Sequence, residues 1–255
     1  MRMVWLTLLA GVTLVACSTN EKQIRSSTEI PFTVQSTLPH DPKAFTQGLL
    51  IHRGELYEST GQDSSWIGIV DIGSGKATRK VVLDNKYFGE GIAVLNNKVY
   101  QLTWKNKNGF IYSMPDFKKI GEFSYKGEGW GLTTDGRHLI MSNGTEEITF
   151  LDSASLKPVR TLTVKHDGVA VSDLNELEYV DGSLYANIWQ TNLVARIELE
   201  TGEVTGFLDL TELSQQARRV NPNADVLNGI AWHPATKTML VTGKFWPYLF
   251  VLKLK

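Results

Sequence analysis

The chain has one cysteine, Cys17, in 255 residues. An internal disulfide is therefore excluded, and no second thiol is left to act as a nucleophile. Charge of one sign is equally scarce. The formal net charge is −1, so no basic surface points to nucleic acid. After the N-terminus, no apolar run reaches membrane-spanning length. The five histidines (40, 52, 138, 166, 233) show no ligand spacing and read as turn or surface residues. Asp63, Asp71, Asp135, Asp152 and Asp181 sit near turn signals and read as turn and cap residues. What remains is 42% hydrophobic and 21% charged, enough for one large globular core.

The first residues have their own pattern. MRMVWLTLLAGVTLVAC combines Arg2, an apolar run and small residues before Cys17. This reads as a secretion signal over 1–16. The segment LVAC resembles a bacterial lipobox, which would make Cys17 the first mature residue and the site of lipid attachment. Ser18, where an inner-membrane retention signal would place Asp, implies the outer membrane and the periplasmic side. Residues 17–28 read as a lipidated, flexible tether. Arg2 is the only charge in 1–16, so the mature chain carries −2.

From 29 to 255 the sequence repeats. A polar or aromatic residue, Gly or a substitute, an apolar strand, a turn and a second strand recur five times. The copies are QGLLIHRGELYEST (47–60), EGIAVLNNKVYQLTW (90–104), WGLTTDGRHLIMSNG (130–144), NELEYVDGSLYANIW (175–189) and NGIAWHPATKTMLVTGK (228–244). Their starts lie 43, 40, 45 and 53 residues apart. RG, NN, DG and DG are hairpin turns. Two more strand-like runs follow each hairpin, as in 66–83, 148–164 and 194–210. Four short strands per unit predict an all-β, five-bladed propeller. The last unit is one strand short. EIPFTVQSTL (29–38) is expected to complete it and close the ring. Residues 211–226 are an insertion, with a short helix expected at LSQQARR.

In a propeller, the residue before each inner strand and the end of each second strand reach one channel mouth. Those positions are Gln47, Glu90, Trp130, Asn175 and Asn228, then Thr60, Trp104, Asn143, Trp189 and Lys244. Three tryptophans with a few convergent polar groups describe a small-ligand pocket. Glu90 is the only acid of the ten. Aromatic walls would desolvate its charge, raise its pKa and suit it to proton transfer. Gly89 and Gly91 would permit a sharp turn or a close ligand approach. Glu128, in a second GEG at 127–129, does not align and reads as a loop or rim residue. A metal-centred propeller hydrolase would need several carboxylates or histidines at this mouth. A non-catalytic scaffold would need no acid walled by tryptophans.

The motifs FTQGL (45–49), YESTG (57–61), FGEG (88–91), GEGWGLT (127–133), NELE (175–178), NGIAW (228–232) and GKFWP (243–247) resemble those of the bacterial and plant-type glutaminyl-peptide cyclotransferases. The resemblance spans about 32–253. It implies a five-bladed propeller that converts N-terminal glutaminyl residues to pyroglutamyl with release of ammonia. It implies Glu90 as the catalytic acid and adds Phe45 and Phe88 to the site. Gln47, Asn175 and Lys244 are then candidates to hydrogen-bond the reacting amide or its oxyanion. Trp104, Trp130, Trp189, Phe45, Phe88 and Asn228 are expected to contact substrate. No cofactor or catalytic metal is expected, and a structural calcium in the channel is compatible. The expected partners are a peptide or protein with N-terminal Gln and, through Cys17, a membrane. A monomer without nucleic acid is expected.

Overall fold

Each repeat folds as one four-stranded antiparallel sheet, and the five sheets stand as blades around a common axis. The computed structural model describes residues 28–62 and 64–255. Cys17, the signal segment and nearly all of the tether lie outside the described residues, as does Asp63. The inner strands are Thr46–His52, Gly89–Leu95, Leu132–Thr134, Leu174–Val180 and Leu227–His233. At RG and NN both turn residues adopt positive φ, as two-residue hairpins require (Arg53 53°, Gly54 82°; Asn96 50°, Asn97 59°).

The ring closes as the incomplete fifth unit predicts. Phe32–Pro39 pairs antiparallel with Tyr248–Leu254, from Phe32 opposite Leu254 to Pro39 opposite Tyr248. Glu29, expected in this strand, instead bridges Phe207 of blade four. The core is divided among the blade interfaces. Tyr57, Ile67, Ile92 and Phe110 pack between blades one and two. Leu102, Leu132 and Leu139 pack between two and three. Leu49, Leu56, Ala231 and Leu240 join five to one. The insertion forms a helix, α1 (Thr211–Val220), longer than LSQQARR, with Leu213 and Ala217 buried in the core between blades four and five.

The residue after each mouth position sets how closely the blades meet. It is Gly48, Gly91, Gly131 and Gly229 in four blades. A Cβ on Gly48 would stand 2.8 Å from the Ile92 nitrogen of the next blade. One on Gly91 would overlap the Leu132 nitrogen, and one on Gly131 the Asn175 carbonyl. Gly89 and Gly91 have no positive φ. They admit a neighbouring backbone, not a sharp turn or a ligand. Blade four carries Glu176 at this position. Its carboxyl crosses the centre of the ring and accepts the N–H groups of Leu49 (3.1 Å) and Ile230 (2.7 Å). Burial, with Glu178 nearby, raises the Glu176 pKa well above the ordinary carboxyl range.

His40 corrects the surface reading of the histidines. It is buried just past the closing strand. Its Nδ1 donates to the Trp246 carbonyl (2.9 Å), and its Nε2 meets Glu58 Oε1 (3.1 Å). Glu58 also accepts from Thr46 Oγ1 (2.7 Å). Burial pulls the His40 pKa down, but the Glu58 charge and the hydrogen bonds outweigh it, and the net shift is upward. His40 therefore latches blade five to blade one through Trp246 and Glu58.

A raised folded-state pKa contributes stability that is complete below the unfolded value, about 6.5. That contribution is lost as pH rises through the folded value. Glu58→Gln should cost about 3 kcal/mol at pH 5.5, the scale for breaking a buried pair. The difference should narrow in urea unfolding at pH 9. Gly131→Ala should cost about 2 kcal/mol or more by overpacking, measured in the same assay.

Candidate active site

In four blades the inner strand begins with a slip of register. The slips fall between Thr46 and Gly48, Gly89 and Ile92, Leu174 and Leu177, and Leu227 and Ile230. Such bulges take residues out of the ladder and re-aim their side chains. The displaced residues include Gln47, Glu90, Asn175 and Asn228. In blade three, Trp130 and Gly131 precede the strand. They are fixed by Trp130 N–H to the Ser142 carbonyl (3.1 Å) and Ser142 N–H to the Gly131 carbonyl (3.0 Å).

A cavity of about 310 Å³ opens at this mouth. Gln47, Glu90, Trp130 and Asn175 line it from the inner-strand starts. Trp104, Trp189 and Lys244 line it from beyond the second strands, and Phe45 and Phe88 from the loops before the inner strands. The tenth lining residue is Asp225, which the repeat pattern missed. It lies in the insertion, outside any strand, so strand counting has no place for it. The loop holds it by backbone pairing: Asp225 N–H donates to the Lys244 carbonyl (2.8 Å) and Lys244 N–H to the Val226 carbonyl (3.0 Å).

Three expected mouth positions do not line the cavity. Thr60 is buried and accepts the Trp66 N–H. Asn143 accepts from Thr145 in a turn. Asn228, expected to touch substrate, is fully buried behind Gln47. Its Nδ2 donates to the Thr46 carbonyl (3.0 Å) and to Gln47 Oε1 (3.1 Å). Gln47 Nε2 then donates to Glu90 Oε2 (2.8 Å). Asn228 thus fixes which end of the Gln47 amide faces the acid.

Glu90 is 3% exposed. Burial drives its pKa well above the ordinary carboxyl range, and nearby Glu128 pushes the same way. The Lys244 ammonium and the Gln47 hydrogen bond oppose this but do not cancel it. Lys244 responds in kind. Burial lowers its pKa, while Glu90 and Asp225 hold it up. Its Nζ stands 4.5 Å from the Phe45 ring centroid. Asn175 Oδ1 is buried without a hydrogen-bond partner.

Glu128 is more than a rim residue. Its Oε2 accepts the indole N–H of Trp104 (2.6 Å) and of Trp130 (2.9 Å). One carboxylate oxygen therefore sets two aromatic walls. Trp130 meets Trp189 edge-on, with ring centroids 5.5 Å apart. Only the mismatch between the two GEG triplets hinted at a separate role for Glu128.

Comparison with known proteins bears on this site. The glutamine cyclotransferase family model matches residues 7–254. The chain belongs to the glutamine cyclotransferase family. It is 39% identical over 226 residues to a glutaminyl-peptide cyclotransferase of Arabidopsis thaliana, covering 87% of this chain and 71% of that protein. The crystal structure of Myxococcus xanthus glutaminyl cyclase superposes with a TM-score of 0.84 at 35% identity, over 89% of this chain and 98% of that one.

Within this cyclotransferase propeller the channel holds two further buried acids, which the count of strand starts did not reveal. Glu176 is described above. Glu178 accepts the Trp232 N–H (2.7 Å), and burial raises its pKa to about 8. Among the described residues, the one group of three potential ligands within 4.8 Å is His166, Asp167 and Glu203, outside the channel and the pocket. The calcium expectation thus finds no such group in the channel.

Glu128→Ala leaves two indole N–H groups without their acceptor. KM for a peptide with N-terminal Gln should rise about tenfold or more, the scale for losing charge-assisted hydrogen bonds. Tryptophan emission should shift to longer wavelength. An unchanged KM and spectrum would remove Glu128 from the site.

Proposed function

We propose that this chain is a glutaminyl-peptide cyclotransferase whose proton shuttle is Glu90. Membership of the family supports the activity. The observation that carries the mechanism is a buried carboxyl of raised pKa, held through one oxygen by Gln47, at the wall of a tryptophan-lined cavity.

The substrate's α-amine attacks its own side-chain amide carbon. The new C–N bond closes a five-membered ring, and the old C–N bond breaks to release ammonia. The attack is intramolecular, so holding a near-attack conformer is a large part of catalysis. Trp104, Trp130 and Trp189 supply that confinement and exclude water.

An α-amine has a pKa of about 8 in water and arrives mostly as the ammonium. A carboxylate of ordinary pKa is too weak a base to deprotonate it efficiently. Burial lifts Glu90 toward the amine, which makes the transfer nearer to balanced. Glu90 takes the ammonium proton to free the amine and passes it to the departing amide nitrogen, and the surplus proton on the ring nitrogen after attack leaves with the ammonia as ammonium. Lys244 donates to the amide oxygen as negative charge develops there. Asn175 Oδ1, which lacks a partner, accepts from the substrate amine or amide. Gln47 does not act on substrate in this scheme. It holds Glu90, and Asn228 holds Gln47.

Glu90→Gln should cut kcat by about 10²- to 10⁴-fold, the usual contribution of one acid–base group. The assay is ammonia release from a peptide with N-terminal Gln, with loss of one ammonia in mass spectra. Binding of the pyroglutamyl product should survive. Near-normal turnover in this variant would end the assignment.

The pH profile tests the electrostatics. Lys244 lowers the Glu90 pKa, so Lys244→Met should raise it further. The acidic limb of kcat/KM, which reports the free enzyme, should move to higher pH. A shift to lower pH would contradict the arrangement.

The sequence of 1–17 supports lipid attachment at Cys17 on the periplasmic side of the outer membrane. Cys17→Ser should release the protein from membrane fractions and abolish labelling by a fatty-acid precursor.

A further inference from the structure

Beside the cyclisation cavity lies a second hollow of about 520 Å³. The two share a wall, because Phe88 and Trp104 line both. Those rings stand 5.5 Å apart between centroids, tilted by 56°. Beyond the shared wall the chemistry changes. Gln62, Asn85 and Asn106 bring carboxamides, and Lys86 and Lys105 bring ammonium groups. Among the described residues, no acid lines the hollow.

The two lysines differ in how free they are. Lys105 Nζ stands 3.8 Å from the Trp104 ring centroid, on the shared wall itself. Among the described residues it has no carboxylate within 4.0 Å. Lys86 meets Asp84 at 3.5 Å, but both side chains are more than 60% exposed. An exposed pair of this kind is weakly held and leaves Lys86 open to a competing anion.

We propose that this hollow is the subsite for the residues that follow the N-terminal glutamine, and that it favours a carboxylate side chain at the second or third position. The inference rests on the cyclase reading and adds a substrate preference to it. Once the glutaminyl residue is in the cavity, the rest of the peptide must leave over its rim. The ring wall of Phe88 and Trp104 is a part of that rim with a hollow on its far side. An extended chain advances about 3.5 Å per residue, so crossing one ring brings the second or third residue into it. Carboxamides both donate and accept, and so suit a peptide backbone. The ammonium groups of Lys86 and Lys105 favour negative charge.

The test compares C-terminally amidated Gln-Glu-Ala-Ala and Gln-Lys-Ala-Ala. Turnover is read as kcat/KM for ammonia release, and binding is read from tryptophan fluorescence. The acidic peptide should be favoured about three- to tenfold in both readouts, the worth of one or two exposed charge contacts. The preference should vanish in the Lys86→Gln/Lys105→Gln variant and in about 1 M salt, where screening acts within about 3 Å. Equal kcat/KM and equal Kd for the two peptides would overturn the subsite, as would a preference that survives the double variant. The free acid and amide of Gln-Ala-Ala form a further arm. A preference confined to the free terminal carboxylate would overturn the side-chain assignment. No turnover with the charge preference in binding intact would break the cyclase reading and leave the subsite standing.

Discussion

The tightest constraint in this molecule is the approach of five inner strands to one axis. At four of the five contact points the approaching residue is glycine; at Gly48, Gly91 and Gly131 a Cβ would collide with a neighbouring backbone, and Gly229 holds a φ of 120°. At the fifth, Glu176 fills the centre and satisfies N–H groups of blades one and five. At the strand starts the ladder also slips in four blades. Each slip turns a polar side chain off the sheet, to line the mouth or to stand just behind it.

That origin explains why the acid and its supports come from different blades. Glu90 belongs to blade two, Gln47 to blade one, and Asn228 and Lys244 to blade five. None is within 40 residues of Glu90 in the chain, yet they form one connected electrostatic unit. A carboxyl with a raised pKa is costly to build, since burial destabilises its charged form. Here the cost is met by a rigid ring in which the blade interfaces carry their own apolar clusters. The latch of His40 and Glu58 at the seam holds the chain ends in that ring.

The aromatic walls follow a different logic. Their positions come from the repeat, but the orientations of Trp104 and Trp130 come from a shared bond to Glu128, a residue outside the repeat. The same Trp104 ring faces the cyclisation cavity on one side and the lysine-bearing hollow on the other. A single side chain is thereby common to both hollows.

Periodicity along the chain was enough to determine the blade number, the hairpins, the closing strand and seven of the ten cavity residues. Those features depend on local pattern, which repeats every 40 to 53 residues and is visible without coordinates. Phe45 and Phe88 were reachable only through family motifs, since they precede the repeat unit. Tertiary structure alone decided the rest. Asn228 moved from the pocket to its support, Asp225 entered from an insertion, and Glu128 became the anchor of two walls. His40 went from presumed surface to buried latch, and Glu176 became the plug of the ring. Each of these roles depends on which blade lies opposite, and that is set by how closely the strands can pack around the axis.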